Sequence, residues 1–241
     1  MRAIVDSSPA RRLAKDLVEF LNCVPDAHIA VSGGSTPRAL FRILAAEYRG
    51  AVRWDRVTIW QVDERCVPPD DPQSNWRMLA EELLSQIPDL KSNRMEAERD
   101  GAADDYESLI RRHVREAAQR ASQTTRNAGG AEQIEVRPML SIPQLDLILL
   151  GMGADGHTAS LFPGTAALEE RERLVVRNAV PQLNTTRVTM TFPLINAARE
   201  RWFLASGADK ANAFKCVQTG ELPSAKVCDP VWYVDSAVVG A

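Results

Sequence analysis

The chain is organised around the stretch from Leu145 to Gly164, which has the sequence LDLILLGMGADGHTASLFPG. The mostly apolar run over 145–150 has the length of a buried strand, and a glycine-rich loop ends it. Asp155 and His157 lie in that loop. These residue types exchange protons near neutral pH, and open α/β sheets bind ligands at the carboxyl ends of their strands. We therefore expect the loop to form an active centre.

The same loop matches the G-x-G-x-x-G pattern of dinucleotide-binding sites at Gly151, Gly153 and Gly156. Such a site needs a helix that opens at the third glycine within a strand–helix–strand unit. Pro163 and Gly164 would end a helix here after about two turns, which is shorter than a crossover helix. The sequence therefore disfavours a nicotinamide dinucleotide site.

Composition narrows the class of protein. The chain has 241 residues, of which 45% are hydrophobic and 25% charged, and this fits one α/β domain with or without a small appended layer. A formal net charge of -3 disfavours nucleic-acid and anionic-membrane partners. The four scattered cysteines lack metal-ligand spacing, and no stretch resembles a membrane span or a signal peptide. We therefore expect a cytoplasmic protein without a metal.

Strand and helix patterns alternate along the chain. Apolar runs predict strands over 2–5, 28–31, 57–60, 145–150, 174–180, 187–192, 201–205 and 231–234. Helical spacing and start signals predict helices from Pro9, from Pro37, after Ser74 through Leu84, over 102–118, and after Gly207 through Val217. This alternation predicts an α/β fold with a mostly parallel open sheet and helices on both faces. The polar stretch at about 119–136 is predicted to be a flexible insertion in a single domain, 1–241.

The segment SGGSTPRALF (32–41) has the pattern of an anion site, because a strand runs through glycines into a helix start. Gly33 and Gly34 permit close approach, Thr36 is a suitable N-cap, and Pro37 suits the first helical position. The unpaired amides and positive dipole end of such a helix bind phosphate. No Walker lysine follows, which disfavours a nucleotide site; a plain strand-to-helix turn is the alternative.

Charged residues follow two further strands at the same rim of the predicted sheet. Asp63, Glu64 and Arg65 come just after strand 57–60, and a solvated loop with local ion pairs is the alternative interpretation. Lys210 lies in the first turn of the helix after Gly207, where a cation opposes the helix dipole. That position indicates a bound anion, unless Lys210 is an isolated surface lysine.

His157 is the histidine best placed for catalysis. His113 lies on a polar helix and is expected to be exposed, and His28 begins a strand and is expected to be structural. Beside Asp155, His157 is suited to activate water as a general base. The chain lacks the G-x-S-x-G motif, which disfavours a covalent serine mechanism. The residue types fit hydrolysis or isomerisation of a small phosphorylated compound and leave both reactions open.

Five blocks of sequence resemble the 6-phosphogluconolactonase family, within the superfamily of sugar-phosphate isomerases and deaminases. They are SGGSTP (32–37), VDERCVP (62–68), GMGADGHTASLFPG (151–164), RVTMTFPLIN (187–196) and GADK (207–210). The related glucosamine-6-phosphate deaminases typically carry DEY in place of DER, and an IAFNEP-like stretch after DGH. Both differences favour the lactonases. The resemblance implies a modified Rossmann-type fold and no cofactor.

The activity that the resemblance implies is hydrolysis of 6-phospho-D-glucono-1,5-lactone to 6-phospho-D-gluconate in the oxidative pentose phosphate pathway. His157 would activate water, Asp155 and Asp63 would orient it or hold sugar hydroxyls, and Arg65 would face the carbonyl or oxyanion. The residues implied to hold the phosphate are Gly33, Gly34, Ser35, Thr36, Arg187 and Lys210. The expected partner is thus a phosphorylated sugar lactone, bound by a monomer or weak homodimer. An amino-sugar-phosphate isomerase or deaminase and a non-catalytic sugar-phosphate sensor are the alternatives.

Overall fold

Ten strands and seven α-helices are found in residues 1–127 and 142–240, which a computed structural model describes. The strands are β1 (Arg2–Val5), β2 (Ala27–Val31), β3 (Val57–Gln61), β4 (Asp63–Arg65), β5 (Lys91–Asn93), β6 (Leu147–Gly151), β7 (Val175–Val180), β8 (Thr185–Met190), β9 (Glu200–Ala205) and β10 (Val231–Val234). The helices are α1 (Pro9–Cys23), α2 (Ser35–Glu47), α3 (Asn75–Glu82), α4 (Ala102–Asn127), α5 (Phe192–Ala197), α6 (Ala211–Gln218) and α7 (Ser236–Val239).

A seven-stranded parallel sheet forms the centre of the described chain, in the order β1-β10-β9-β6-β2-β3-β5. Its five inner strands are mostly buried, because helices cover both faces, whereas the edge strands β1 and β5 are largely exposed or half-buried. Alternate residues enter two separate cores: Ile29 and Leu147 pack with α1, α2 and α3, whereas Ala30 and Ile148 pack with α4 and α6. The predicted mostly parallel sheet with helices on both faces is confirmed.

A second, three-stranded antiparallel sheet has the order β4-β8-β7. The sequence allows a small appended layer but does not indicate that residues 63–65 pair with a strand so distant in the chain. In this register Asp63 lies opposite Thr189 and Arg65 lies opposite Arg187. The small sheet therefore fixes charged side chains beside the carboxyl edge of the large one.

One helix start and one helix end differ from the predictions. The predicted cap at Thr36 is wrong, since α2 begins at Ser35 and its N-cap is Gly34 with φ +114°, a conformation that favours glycine. Helix α4 continues to Asn127, so residues 119–127 of the predicted flexible insertion are helical, and 128–136 lie outside the described residues. The chain there contains Ala, Gln and Arg, which favour helix regardless of the polarity of the segment.

Helix starts signalled by serine are confirmed. Ser8 precedes α1 with Pro9 in the first helical position, and Ser74 precedes α3, where its side chain accepts a hydrogen bond from the Arg77 amide at 3.2 Å.

Across the described ranges, no helix is long and apolar enough to cross a bilayer.

Candidate active site

A cavity of about 620 Å³ opens at the carboxyl edge of the central sheet. The loops after β2, β6 and β9 line it, together with β4 and β8 of the small sheet. Among the predicted site residues, those that line the cavity are Gly33, Gly34, Ser35, Thr36, Asp63, Arg65, His157, Arg187 and Lys210. Asp155 is not among the lining residues and contacts His157 instead.

The loop after β6 folds so that the Asp155 carboxylate binds its neighbour's ring. Asp155 Oδ1 lies 2.5 Å from His157 Nδ1 and also accepts a hydrogen bond from the His157 amide at 3.2 Å. A Cβ atom on Gly153 would lie 2.1 Å from His157 Nδ1, so only glycine leaves room for this pair. With Nδ1 bound to Asp155, Nε2 is the ring nitrogen left to take a proton from water.

Asp155 is ionised near neutral pH. Partial burial raises the pKa of Asp155, but the hydrogen bond and the charge of His157 outweigh burial and hold the pKa below its ordinary value. A carboxylate bound to Nδ1 fixes the tautomer and orientation of the imidazole and stabilises the imidazolium. The pair therefore has the arrangement of a general base with its orienting acid.

Phe162 lies beneath the imidazole. Its buried ring stacks on His157, with ring centroids 3.9 Å apart and an interplanar angle of 23°. The guanidinium carbon of Arg187 lies 5.5 Å from the centroid of the same ring. One aromatic side chain thus contacts both the proposed base and a cation of the cavity.

Asp63 does not bind His157. Its Oδ2 atom accepts a hydrogen bond from the hydroxyl of buried Ser160 at 2.6 Å. The sequence left open which aspartate contacts the histidine, and the structure places Asp155 there. Asp63 still lines the cavity, so one of its oxygens is available to a ligand.

Arg65 and Arg187 are neighbours, because β4 and β8 pair them directly. Within the described residues the buried Nε atoms of both side chains have no hydrogen-bond partner. Burial, and after it the positive charge of Arg65, lowers the pKa of Arg187, although guanidinium stays charged in proteins. Two adjacent cations of this kind are chemically suited to bind an anion or to stabilise a developing negative charge.

Arg65 and Arg187 form one cationic region of the cavity. The second cationic region consists of Lys210 and the loop between β2 and α2. Gly34 holds the chain in its glycine-specific conformation at the start of α2, whose first amides lack intrahelical partners. Lys210 lies in the short 3-10 turn Ala208–Lys210 before α6 and forms an ion pair with Asp209, Nζ to Oδ2, at 3.0 Å. Because the Lys210 side chain is only 19% exposed and lines the cavity, it is not an isolated surface lysine.

The other two histidines lie in the core around Trp60. His28 is buried and accepts a hydrogen bond from Trp60 Nε1 at 3.2 Å, as expected for a structural residue. His113 is half-buried and packs edge-on against Trp60, with centroids 5.7 Å apart. The prediction that His113 is exposed is therefore wrong, because His113 packs against Trp60, a contact that the polar composition of its helix does not reveal.

Sequence reasoning assigned no role to Asn75, which lines the cavity, and it placed Glu64 at the rim without predicting that Glu64 is buried. Ser32, the first residue of the predicted anion-site segment, also lines the cavity. The alternative interpretation of Glu64 as part of a solvated loop is wrong, because Glu64 is 2% exposed in a paired strand. In the sequence, the strand end before Ser32 and the helix start at Asn75 indicate that these residues lie at the carboxyl edge of the central sheet. Within residues 1–127 and 142–240, no three His, Cys, Asp or Glu side chains are grouped to hold a metal ion.

A family model described as "Glucosamine-6-phosphate isomerases/6-phosphogluconolactonase" matches residues 3–238. This chain belongs to that family. The 6-phosphogluconolactonase of Streptomyces coelicolor is 32% identical over 247 residues, covering 98% of this chain and 90% of its own length. The 6-phosphogluconolactonase of Treponema pallidum is 36% identical over 232 residues, covering 91% of this chain and 86% of its own.

Other relatives are longer than this chain. The probable chloroplastic 6-phosphogluconolactonase 3 of rice is 35% identical over 192 residues, and the match covers 77% of this chain but 54% of the rice protein. The chain thus matches about half of that relative's length.

Solved structures share the fold over nearly the whole chain. The 6-phosphogluconolactonase of Thermotoga maritima has a TM-score of 0.73 at 25% identity and covers 97% of both chains. The enzyme of that name from Trypanosoma brucei has a TM-score of 0.78 at 24% identity, covering 99% of this chain and 97% of its own, and shows the fold alone. The predicted family resemblance and fold class are confirmed.

Proposed function

We propose that the protein is a 6-phosphogluconolactonase, a hydrolase that converts 6-phospho-D-glucono-1,5-lactone and water to 6-phospho-D-gluconate in the oxidative pentose phosphate pathway. The main support is that one cavity brings together His157, Arg65 and Arg187 with the loop between β2 and α2, which we call the anion-binding loop. Asp155 orients His157 in this cavity. Further support comes from relatives of that name that align over more than nine-tenths of the chain.

In the proposed reaction, His157 Nε2 removes a proton from water while the water oxygen bonds to the lactone carbonyl carbon. The carbonyl π electrons move to oxygen and form an oxyanion, which a nearby guanidinium stabilises. When the oxyanion collapses, the bond from the carbonyl carbon to the ring oxygen breaks. The imidazolium returns its proton to that oxygen, which becomes the C5 hydroxyl, and the product carboxylic acid ionises. Asp155 stabilises the imidazolium between these steps.

Binding roles follow from the two cationic regions. We assign the phosphate to the amides and hydroxyls of the loop after β2, to Lys210 and to Arg187, and the oxyanion to Arg65; the loop residues are Gly33, Gly34, Ser35 and Thr36. Because Arg65 and Arg187 are paired across β4 and β8, they serve neighbouring parts of the substrate. The Asp63 oxygen that Ser160 does not bind is assigned to a sugar hydroxyl.

The proposed chemistry needs no cofactor, because water is the nucleophile and an imidazole carries the proton. The partner is a phosphorylated sugar lactone, without nucleic acid or membrane. A cytoplasmic location and a monomer or weak homodimer complete the proposal.

The test compares two substrates that separate the activities named in the family description. Purified protein is mixed with freshly generated 6-phosphogluconolactone and, separately, with glucosamine 6-phosphate. The proposal predicts lactone hydrolysis well above the spontaneous rate and no release of ammonia. Ammonia release without lactone hydrolysis would instead assign the protein to the deaminases, and inactivity on both would overturn the proposed enzyme.

A further inference from the structure

Glu64 carries a buried carboxylate next to the cavity without lining it. Its side chain is held entirely by hydrogen bonds rather than by an ion pair within the described part of the chain. The donors are Gln61 Nε2 (2.8 Å), the Arg65 amide (2.7 Å), Ser74 Oγ (3.1 Å), the Asn75 amide (2.8 Å) and the Trp76 amide (2.7 Å). Five donors satisfy a charge that would otherwise be costly to bury.

The donors of Glu64 join two elements that are separate in the chain. Arg65 belongs to β4, whereas Asn75 and Trp76 are the first residues of α3. The amides at a helix start lack intrahelical partners, and a negative charge there is favoured by the helix dipole. The hydrogen bonds of Glu64 therefore connect the N-terminus of α3 to β4, the strand that contains Asp63 and Arg65.

Asn75 extends this connection into the cavity. Its Nδ2 atom donates to the Asp63 carbonyl oxygen at 2.9 Å, and its amide group packs tightly against Gly33. A Cβ atom on Gly33 would lie 1.9 Å from Asn75 Oδ1. The Asn75 side chain thus lies between Asp63 and the anion-binding loop, and the Asn75 backbone amide donates to Glu64.

We propose that Glu64 is a positioning residue of this site. It fixes the start of α3 and, through Asn75, sets the distance between the anion-binding loop after β2 and the charged residues of β4. It exchanges no proton and contacts no ligand. The inference deepens the proposed function, since an anion at this loop is the phosphate of the proposed substrate.

Loss of the Glu64 charge and loss of the Glu64 hydrogen bonds are expected to change anion binding in opposite directions. Whether phosphate binding becomes weaker or tighter therefore distinguishes the two effects. The negative charge of Glu64 acts on Arg187, and its removal alone would make the cavity more positive and tighten anion binding. Loss of the hydrogen bonds would instead loosen the loop and weaken anion binding. Glu64→Gln removes the charge and replaces one acceptor oxygen by a donor, which leaves buried N–H groups unpaired.

The experiment measures the Kd of inorganic phosphate by calorimetry, together with kcat and KM for the phosphorylated lactone, in the wild type and in Glu64→Gln. We expect Kd and KM to rise about tenfold, the equivalent of ~1.4 kcal/mol, with a smaller change in kcat. Unchanged or tighter phosphate binding would overturn the proposal.

Glu170→Gln is the matched control for lost stability. Glu170 also accepts hydrogen bonds from successive backbone amides, those of Arg171, Glu172 and Arg173, but it does not line the cavity. Urea unfolding is expected to show destabilisation of both variants, whereas only Glu64→Gln is expected to weaken phosphate binding. Equal weakening in both variants would reduce Glu64 to a structural role and contradict the proposal.

Ser74→Ala provides a second, milder variant in case Glu64→Gln does not fold. Ser74 donates to Glu64 and lies outside the cavity lining, and its loss leaves the net charge unchanged. We expect phosphate Kd to rise by about threefold, and no change would contradict the proposal. If the wild type binds phosphate but does not hydrolyse the lactone, the proposed function fails while the phosphate titrations still test Glu64.

Discussion

At the scale of single residues, the proposed general base is an imidazole that Asp155 and Phe162 contact on two sides. Asp155 binds Nδ1 of His157 at 2.5 Å, and Phe162 stacks on the ring with centroids 3.9 Å apart. The side chain of His157 remains 27% exposed, which gives water access to it. Orientation by neighbours and access by solvent are the two properties that a general base for hydrolysis requires.

Replacement of His157 by Ala tests the base directly. We expect kcat for the phosphorylated lactone to fall by about 100-fold or more, the usual contribution of general-base catalysis. Phosphate affinity is expected to remain within about twofold, because the anion-binding loop belongs to a different strand end. His113→Ala, which alters a histidine outside the cavity lining, serves as the control. Full activity of His157→Ala would show that another group activates water.

Asp155 gives a pH-dependent prediction for stability. Its pKa in the folded protein is below the ordinary value, so the folded state favours the carboxylate. The stabilisation is therefore fully present above the unfolded-state pKa, about 3.9, and is lost as the pH falls through the lowered folded-state pKa.

Urea unfolding at several pH values checks this sign with wild type and Asp155→Asn. The difference in free energy of unfolding is expected to shrink as the pH falls below about 4, where the Asp155 carboxylate of the folded protein takes up its proton. A difference that grows as the pH falls below about 4 would mean that the folded state favours the protonated acid, contrary to the assignment.

Residue chemistry at the site was partly predictable. Glycine loops at strand ends predicted the positions of Asp155, His157 and Lys210 at the ligand-binding rim, and the strand end before Asp63 predicted that of Arg65. Arg187, which lies within β8, was implied only by the family resemblance. It could not distinguish Asp155 from Asp63, since Ser160, the partner of Asp63, comes from a loop distant in the chain. The burial of Glu64 was not predictable, because Ser74, Asn75 and Trp76, which donate to its carboxylate, become neighbours of Glu64 only after folding.

At the scale of elements, the turn from β2 into α2 sets the geometry of the proposed anion-binding loop. Gly34 has φ +114° at the N-cap, and Gly33 lies against the side chain of Asn75. The two glycines have different roles: Gly34 supplies a backbone conformation, and Gly33 supplies space. Together they bring the first amides of α2 to the cavity.

Gly33→Ala is expected to weaken phosphate binding by about tenfold and to destabilise the protein by roughly 1–3 kcal/mol, the cost of overpacking. The new methyl group would overlap Asn75, whose amide cannot move freely because it binds the Asp63 carbonyl oxygen. Phosphate calorimetry and urea unfolding measure the two effects.

Gly50→Ala is the matched control, because a Cβ atom at Gly50 meets nothing within 4 Å. It is expected to leave both quantities unchanged. Normal phosphate affinity in Gly33→Ala would contradict the close packing between the anion-binding loop and α3.

Elements with strong local signals were predictable. Serine caps located the starts of α1 and α3, and apolar runs located six of the seven strands of the central sheet. The exception is the edge strand β5, whose sequence KSN is polar. The pairing of β4 with β8 and β7 was not predictable, because the polar three-residue strand β4 gains its partners only through the fold. The start of α2 was misplaced because Thr36 and Gly34 are both acceptable caps and only the backbone angle distinguishes them.

At the scale of the whole molecule, the parallel sheet explains why residues from distant segments share one cavity. The strands β2, β6 and β9 are neighbours and end at the same edge, so their loops converge there. The antiparallel sheet adds Arg65 and Arg187 at the side of this edge. Alternation of strands and helices predicted the first arrangement, whereas the second depends on contacts between segments that no local pattern encodes.

The proposed function requires that the cationic regions and His157 act on one substrate. Initial rates of hydrolysis of 6-phosphogluconolactone and of unphosphorylated gluconolactone, each corrected for spontaneous hydrolysis, test it most directly. We predict that kcat/KM for the phosphorylated lactone is at least about 100-fold higher, because phosphate binding supplies transition-state stabilisation. Equal acceleration of the two lactones, or no acceleration of either, would contradict the account.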